Sequence, residues 1–106
     1  MRKEYHKLVR DLIPEHIRMH GDACIIDTMS EEDYRQALRE KLVEEAQEAC
    51  EADVSQLAKE LADLYEVIDT LMAVYDISLE QVRAIQERKR REVGGFEQRI
   101  RLLWTE

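Results

Sequence analysis

With 106 residues, 44% of them apolar, the chain has room for one domain, 1–106, and one hydrophobic core. Charged residues make up 38% and the formal net charge is -8, which excludes a general electrostatic attraction to nucleic acid polymers. No apolar run reaches the roughly eighteen residues of a membrane span, and the charged opening 1–7 lacks the apolar stretch of a signal peptide, so a cytoplasmic protein with no membrane partner is expected.

Three glycines and one proline leave few turns, so the expected class is all-α. A first short helix is expected from Ile13 or Pro14 to about His20, closed by Gly21. Residues 23–28 include the β-branched Ile25 and Ile26 and read as a short strand or extended arm. Ser30 followed by Glu31, Glu32 and Asp33 is a helix start, with a capping hydroxyl and acids that suit the positive helix end. That second helix should run to about Cys50. Its apolar face is Leu38, Leu42, Ala46 and Ala49, bordered by a charged stripe of Lys41, Glu44, Glu45 and Glu48.

No glycine or proline breaks the chain after Cys50; the break is inferred from Asp53 as an N-cap with Gln56 three residues on. The third helix, about 54–75, carries the widest apolar arc, with Leu57, Leu61, Leu64, Ile68, Leu71, Met72 and Tyr75 covering close to half its circumference. It should be the central helix, with neighbours on two sides. Ser78 and Gln81 form a capping box, stapled by Ile77 and Val82, for a fourth helix ending near Val93 before Gly94-Gly95. Residues 96–104 read as a short final helix. Three main amphipathic helices cannot cover so broad a face alone, so a homodimer or larger homo-oligomer is expected. Cys24 and Cys50 are isolated and read as reduced thiols.

Two acid pairs carry the chemistry. Glu45 with Glu48 and Glu60 with Asp63 are each spaced i, i+3, which sets two carboxylates about 5–6 Å apart at Cβ on one helix face. Glu60 and Asp63 sit among Leu57, Leu61, Leu64, Val67, Ile68 and Leu71, on or beside the apolar stripe. Carboxylates brought out of water find cations or change protonation state. A divalent metal is the economical partner.

The segment Glu44-Glu45-Ala46-Gln47-Glu48, then eleven residues, then Glu60-Leu61-Ala62-Asp63, resembles the E-E-x-x-E and E-x-x-D signature of the MazG-like all-α nucleoside triphosphate pyrophosphohydrolases. Lys7-Leu8-Val9-Arg10-Asp11-Leu12-Ile13-Pro14 is similar to the K-L-V-R-D-x-I-P opening of a branch described as phosphoribosyl-ATP pyrophosphohydrolase-like. The stretch from Lys89 to Gly94-Gly95-Phe96 resembles that branch's closing K-x4-G-G-F pattern, with Val93 where an arginine often stands. The resemblance thus spans nearly the whole chain.

It implies hydrolysis of a nucleoside triphosphate between the α and β phosphates, giving a monophosphate and pyrophosphate, with Mg²⁺ required and Mn²⁺ as a substitute. Glu45, Glu48, Glu60 and Asp63 would be the metal ligands. Mg²⁺ takes oxygen ligands octahedrally at about 2.0–2.1 Å while keeping waters and bridging substrate phosphates. Glu45 or Glu48 is the candidate base, with Glu44 as a supporting or substitute base. Lys41, Arg10, Lys7 and Lys89 are candidate phosphate contacts.

Each assignment has a plainer rival. Glu44, Glu45 and Glu48 read equally as a solvated face with Lys41 paired to Glu45. Glu60 and Asp63 read as structural ion-pair partners of Lys7 or Arg10. Lys89 and its arginine neighbours read as compensation of a helix C-terminus. At the level of the whole chain the rival is a noncatalytic helical oligomerisation or partner-binding module. Within the enzymes it is phosphoribosyl-ATP as substrate, and nothing in the sequence reads a base or a sugar.

Overall fold

The computed structural model describes residues 2–106; Met1 lies outside them. Among the described residues there are four helices and no strand: α1 (Ile13–Met19), α2 (Glu31–Glu51), α3 (Val54–Val74) and α4 (Leu79–Val93). The chain is all-α, as expected.

Local chemistry explains each boundary. Pro14 occupies the first turn of α1, where a missing N–H costs nothing. Gly21, at φ +87°, lets Gly21 N–H donate to the Arg18 carbonyl (3.0 Å) and Asp22 N–H to that of Ile17 (3.2 Å). Ser30 Oγ accepts from Asp33 N–H at 3.2 Å to start α2. Ala52 and Asp53 are both extended, with ψ 142° and 168°, and that two-residue break separates α2 from α3. Asp53 is the N-cap, but its carboxylate accepts from Ser55 N–H at 2.9 Å; Gln56 N–H goes to the Asp53 carbonyl instead. The expected Asp53–Gln56 box is therefore replaced by a tighter cap.

The α3 terminus repeats the α1 pattern without a glycine. Asp76 takes φ +58°, donating to the Ala73 carbonyl, while Ile77 N–H reaches that of Met72 at 2.8 Å. Asp tolerates the left-handed conformation better than most side chains. Ser78 Oγ then accepts from Gln81 N–H at 3.0 Å, and Gly94 at φ +83° closes α4.

α2 and α3 form the one extensive helix–helix contact among the described residues. They run antiparallel: Arg39 near the start of α2 meets Tyr75 just after α3, whereas Glu45 further along α2 meets Glu60 and Asp63. Among the described residues Leu38 is the only buried one; Leu42, Ala46 and Ala49 of α2 and Leu64, Val67, Ile68, Leu71 and Met72 of α3 are half-buried. The expected second flank of α3 has no partner within the chain, and Leu57, Leu61 and Tyr65 face solvent. Every residue of α4 is exposed.

Of the short strand or extended arm expected at 23–28, the strand is not formed, because no other extended segment among the described residues offers a ladder. The helix expected at 96–104 is corrected: those residues form none. They carry one turn, Arg99 adopts φ +59°, and Phe96, Ile100 and Trp104 have nothing to pack against.

The chain is correspondingly open. Its radius of gyration is 18.5 Å, against about 13 Å for a compact chain of this length. Its surface of 10105 Å² exceeds the roughly 6,200 Å² of a compact monomer of this mass. No helix is long and apolar enough to cross a membrane.

Candidate metal centre

The α2–α3 hairpin brings the two acid pairs together. Ligand atoms of Glu45, Glu60 and Asp63 lie within 4.8 Å of one another. Antiparallel packing is the cause: the short break at 52–53 sets the later turns of α2 against the early turns of α3, so that Glu45 of the first pair meets both members of the second. Glu60 is the most enclosed, its side chain 14% exposed. Glu48, one turn beyond Glu45, faces solvent and stands outside that trio while remaining close enough to act on Glu45.

Partners are unevenly distributed. Arg10 donates to Asp63 Oδ1 at 2.8 Å, and Lys59 reaches Asp63 Oδ2 at 3.3 Å and Glu60 Oε1 at 3.4 Å. Lys7 and Lys41 both pair with Glu44, at 3.3 and 3.4 Å. Glu45 Oε2 and Glu60 Oε2, by contrast, are buried oxygens without any hydrogen-bond partner. Two unpartnered carboxylate oxygens aimed into one seam are an arrangement that the chain's own groups leave electrostatically unfinished. An all-oxygen donor set of this kind fits a hard divalent cation such as Mg²⁺ or Mn²⁺ and not a soft metal.

The same unevenness separates Glu45 from Glu44 as bases. Burial, and next the like charge of Glu48, push the Glu45 carboxyl above its ordinary value of 4.5. Burial acts to raise Glu44 too, but the Lys7 hydrogen bond and the Lys41 charge outweigh it and hold that carboxyl below 4.5. Glu44 is the poorer proton acceptor. The hydrogen bond to Asp63 heads the causes that raise Lys59.

Of the residues singled out from the sequence, Glu44, Glu45, Glu60, Asp63, Lys41, Lys7 and Arg10 meet at this seam, with Glu48 at its edge. Lys41 pairs with Glu44, at i, i+3, and not with Glu45. Lys89 is not brought here: it lies on α4, exposed and without an ion pair among the described residues. The structural ion-pair reading of Asp63 is realised through Arg10. Lys59 escaped the sequence reading, although its i, i+4 spacing to Asp63 is a readable signal. A separate open concavity, lined by Arg35, Arg39 and Tyr75 among others, lies at the other end of the hairpin and contains none of these acids.

Comparison of the chain with protein-family models, curated proteins and solved structures finds no match.

Proposed function

We propose that the chain is a Mg²⁺-dependent nucleoside triphosphate pyrophosphohydrolase of the MazG-like all-α kind, converting an NTP or dNTP to the monophosphate and pyrophosphate. The observation that carries this reading is that Glu45, Glu60 and Asp63 each bring a carboxylate oxygen within 4.8 Å of the others, and that Glu45 and Glu60 each keep a buried Oε2 without a partner. A noncatalytic helical module has no need to keep two carboxylates side by side with a buried, unpartnered oxygen on each, since Asn or Gln would lower the electrostatic cost.

Glu45, Glu60 and Asp63 would hold the ion, with Glu48 joining by a side-chain rotation. When bound, Mg²⁺ supplies charge neutralisation of the polyphosphate and activation of water. Glu45 or Glu48 takes the proton as the water oxygen bonds to the α-phosphorus. The bond from that phosphorus to the bridging oxygen breaks, and pyrophosphate leaves. Lys41 and Lys7, held at the rim by Glu44, place positive charge where phosphate oxygens would lie. Lys89 could serve a site only in another copy of the chain.

The homo-oligomer is part of the proposal. The chain exposes roughly 3,900 Å² more than a compact monomer, which exceeds the roughly 1,000–2,500 Å² that each partner contributes to an obligate interface. The outer face of α3 and the whole of α4 are where that area lies.

The test is a panel of ribo- and deoxyribonucleoside triphosphates, with phosphoribosyl-ATP included, assayed for pyrophosphate release with Mg²⁺ and with excess EDTA. Metal-dependent release of pyrophosphate and monophosphate is expected, and lost in Glu60→Gln. Orthophosphate as the sole product, or full activity in Glu60→Gln, would overturn the reading.

A further inference from the structure

The cation site has an internal competitor. Both oxygens of Asp63 are already engaged, Oδ1 by Arg10 and Oδ2 by Lys59. Lys59 belongs to the same helix as Asp63, is two-thirds exposed, and can swing into solvent without moving any backbone. Arg10 differs, because it arrives from 53 residues away on the irregular segment 2–12. That segment has almost no other hold on the hairpin. Leu8 is its one half-buried residue; the rest are exposed, and its ties to α2 and α3 are the Lys7–Glu44 and Arg10–Asp63 pairs.

We propose that segment 2–12 is a cation-displaceable strap: Arg10 stands in for the metal on Asp63, and a divalent ion entering the seam expels the guanidinium and frees the segment. The inference rests on the cation site proposed above. A double charge drawn toward Glu45 and Glu60 must also approach Asp63, whose oxygens lie within 4.8 Å of theirs. A guanidinium 2.8 Å from Asp63 then faces a dication at close range, and like charges at that separation repel strongly. Because exposed ion pairs are weak fasteners, the strap yields before the carboxylates do. Arg10 and Lys7, once released, join Lys59 as mobile cations beside the seam. The strap therefore couples loading of the site to the availability of its basic groups, and covers the acids while the ion is away.

Two measurements test this on the full chain. Mn²⁺ alone is titrated into the wild type and into Arg10→Gln, with free Mn²⁺ followed by electron paramagnetic resonance. Losing the competitor should tighten binding about 2- to 5-fold, the range expected for one exposed ion pair. In parallel, the amide heteronuclear Overhauser effects of Val9 and Arg10 are measured in the wild type with and without Mg²⁺. They should fall on adding the ion, while those of α2 stay unchanged. Equal or weaker Mn²⁺ binding by Arg10→Gln would overturn the strap and leave the site standing, as would a segment whose mobility ignores Mg²⁺. Absence of Mn²⁺ binding in both proteins would overturn the site, and the strap with it.

Discussion

Replacing Glu45 by Gln should stabilise the ion-free protein and abolish its stabilisation by Mg²⁺. Glu45 faces Glu60 and Asp63 across no more than 4.8 Å. Two unit charges at that separation repel by about 1 kcal/mol in bulk water and by about 3–4 kcal/mol at an effective dielectric constant near 20. Lys41, Lys59 and Arg10 offset part of this, so a net relief of about 1 kcal/mol is a fair expectation. The substitution keeps the side-chain volume and loses no hydrogen bond at Oε2, which has no partner. For a chain of this size, about 1 kcal/mol raises Tm by roughly 4–8 °C.

The pH dependence follows from the raised carboxyl of Glu45. A native group that holds its proton above the unfolded value of 4.5 binds more protons folded than unfolded. Its contribution is therefore favourable below 4.5 and is lost as pH rises through the folded pKa. Glu44, held below 4.5, has the opposite slope, in a separate window below that value. Thermal melts in EDTA at one fixed protein concentration should show Glu45→Gln above the wild type at pH 7.5, with the gap closing toward pH 4. Saturating Mg²⁺ should invert the order, since a ligand at 100 times its Kd adds about 2.7 kcal/mol to the wild type alone. A destabilised Glu45→Gln in EDTA, or an equal Mg²⁺ response in both proteins, would refute the reasoning.

In steady-state assays, Glu48→Gln should lower kcat by orders of magnitude while circular dichroism stays helical, because the change spares the packing and removes a charge beside Glu45. Lys41→Ala should act more mildly and more strongly at high salt, since it removes a point charge at the rim and frees Glu44 from one of its two partners. Asp53→Ala should cost about 0.5–2 kcal/mol in chemical denaturation by uncapping α3; a neutral result would mean that packing alone sets the break. Sedimentation at micromolar concentration should give a dimer or larger species. A stable monomer would show that the exposed face of α3 is tolerated.

The helices were legible because their signals are local. Ser30, Asp53 and Ser78 each cap within three residues, and the side-chain oxygen of each accepts a backbone N–H as its position suggests. The end of α3 was legible only in outline, since the conformation that Gly21 adopts after α1 is taken there by Asp76, whose side chain gives a weaker signal than a glycine. The strand that was one alternative at 23–28 and the helix expected at 96–104 fail for a different cause. Their apolar residues show a pattern, but a pattern becomes a strand or a helix only against a surface, and the chain supplies none to Ile25 or Phe96.

The site divides along the same line. That Glu45, Glu60 and Asp63 converge follows from two spacings, readable in advance, and from an antiparallel turn at 52–53 that only the Asp53 cap hinted at. Which cation meets which acid does not, because it depends on where segment 2–12 lies across the hairpin. Lys7 and Arg10 were readable as basic groups near an acidic site, yet only the fold sets Lys7 on Glu44 and Arg10 on Asp63 while leaving Glu45 Oε2 and Glu60 Oε2 bare. That selectivity is what distinguishes a structural ion-pair network from an ion-binding seam. A network evolved only to hold helices together would gain by pairing its most enclosed oxygens first, since those carry the largest desolvation cost. Here the cations sit on Asp63 and on Glu60 Oε1 while the buried Oε2 atoms of Glu45 and Glu60 stay unpaired, an order that favours the proposed ion site over a purely structural network.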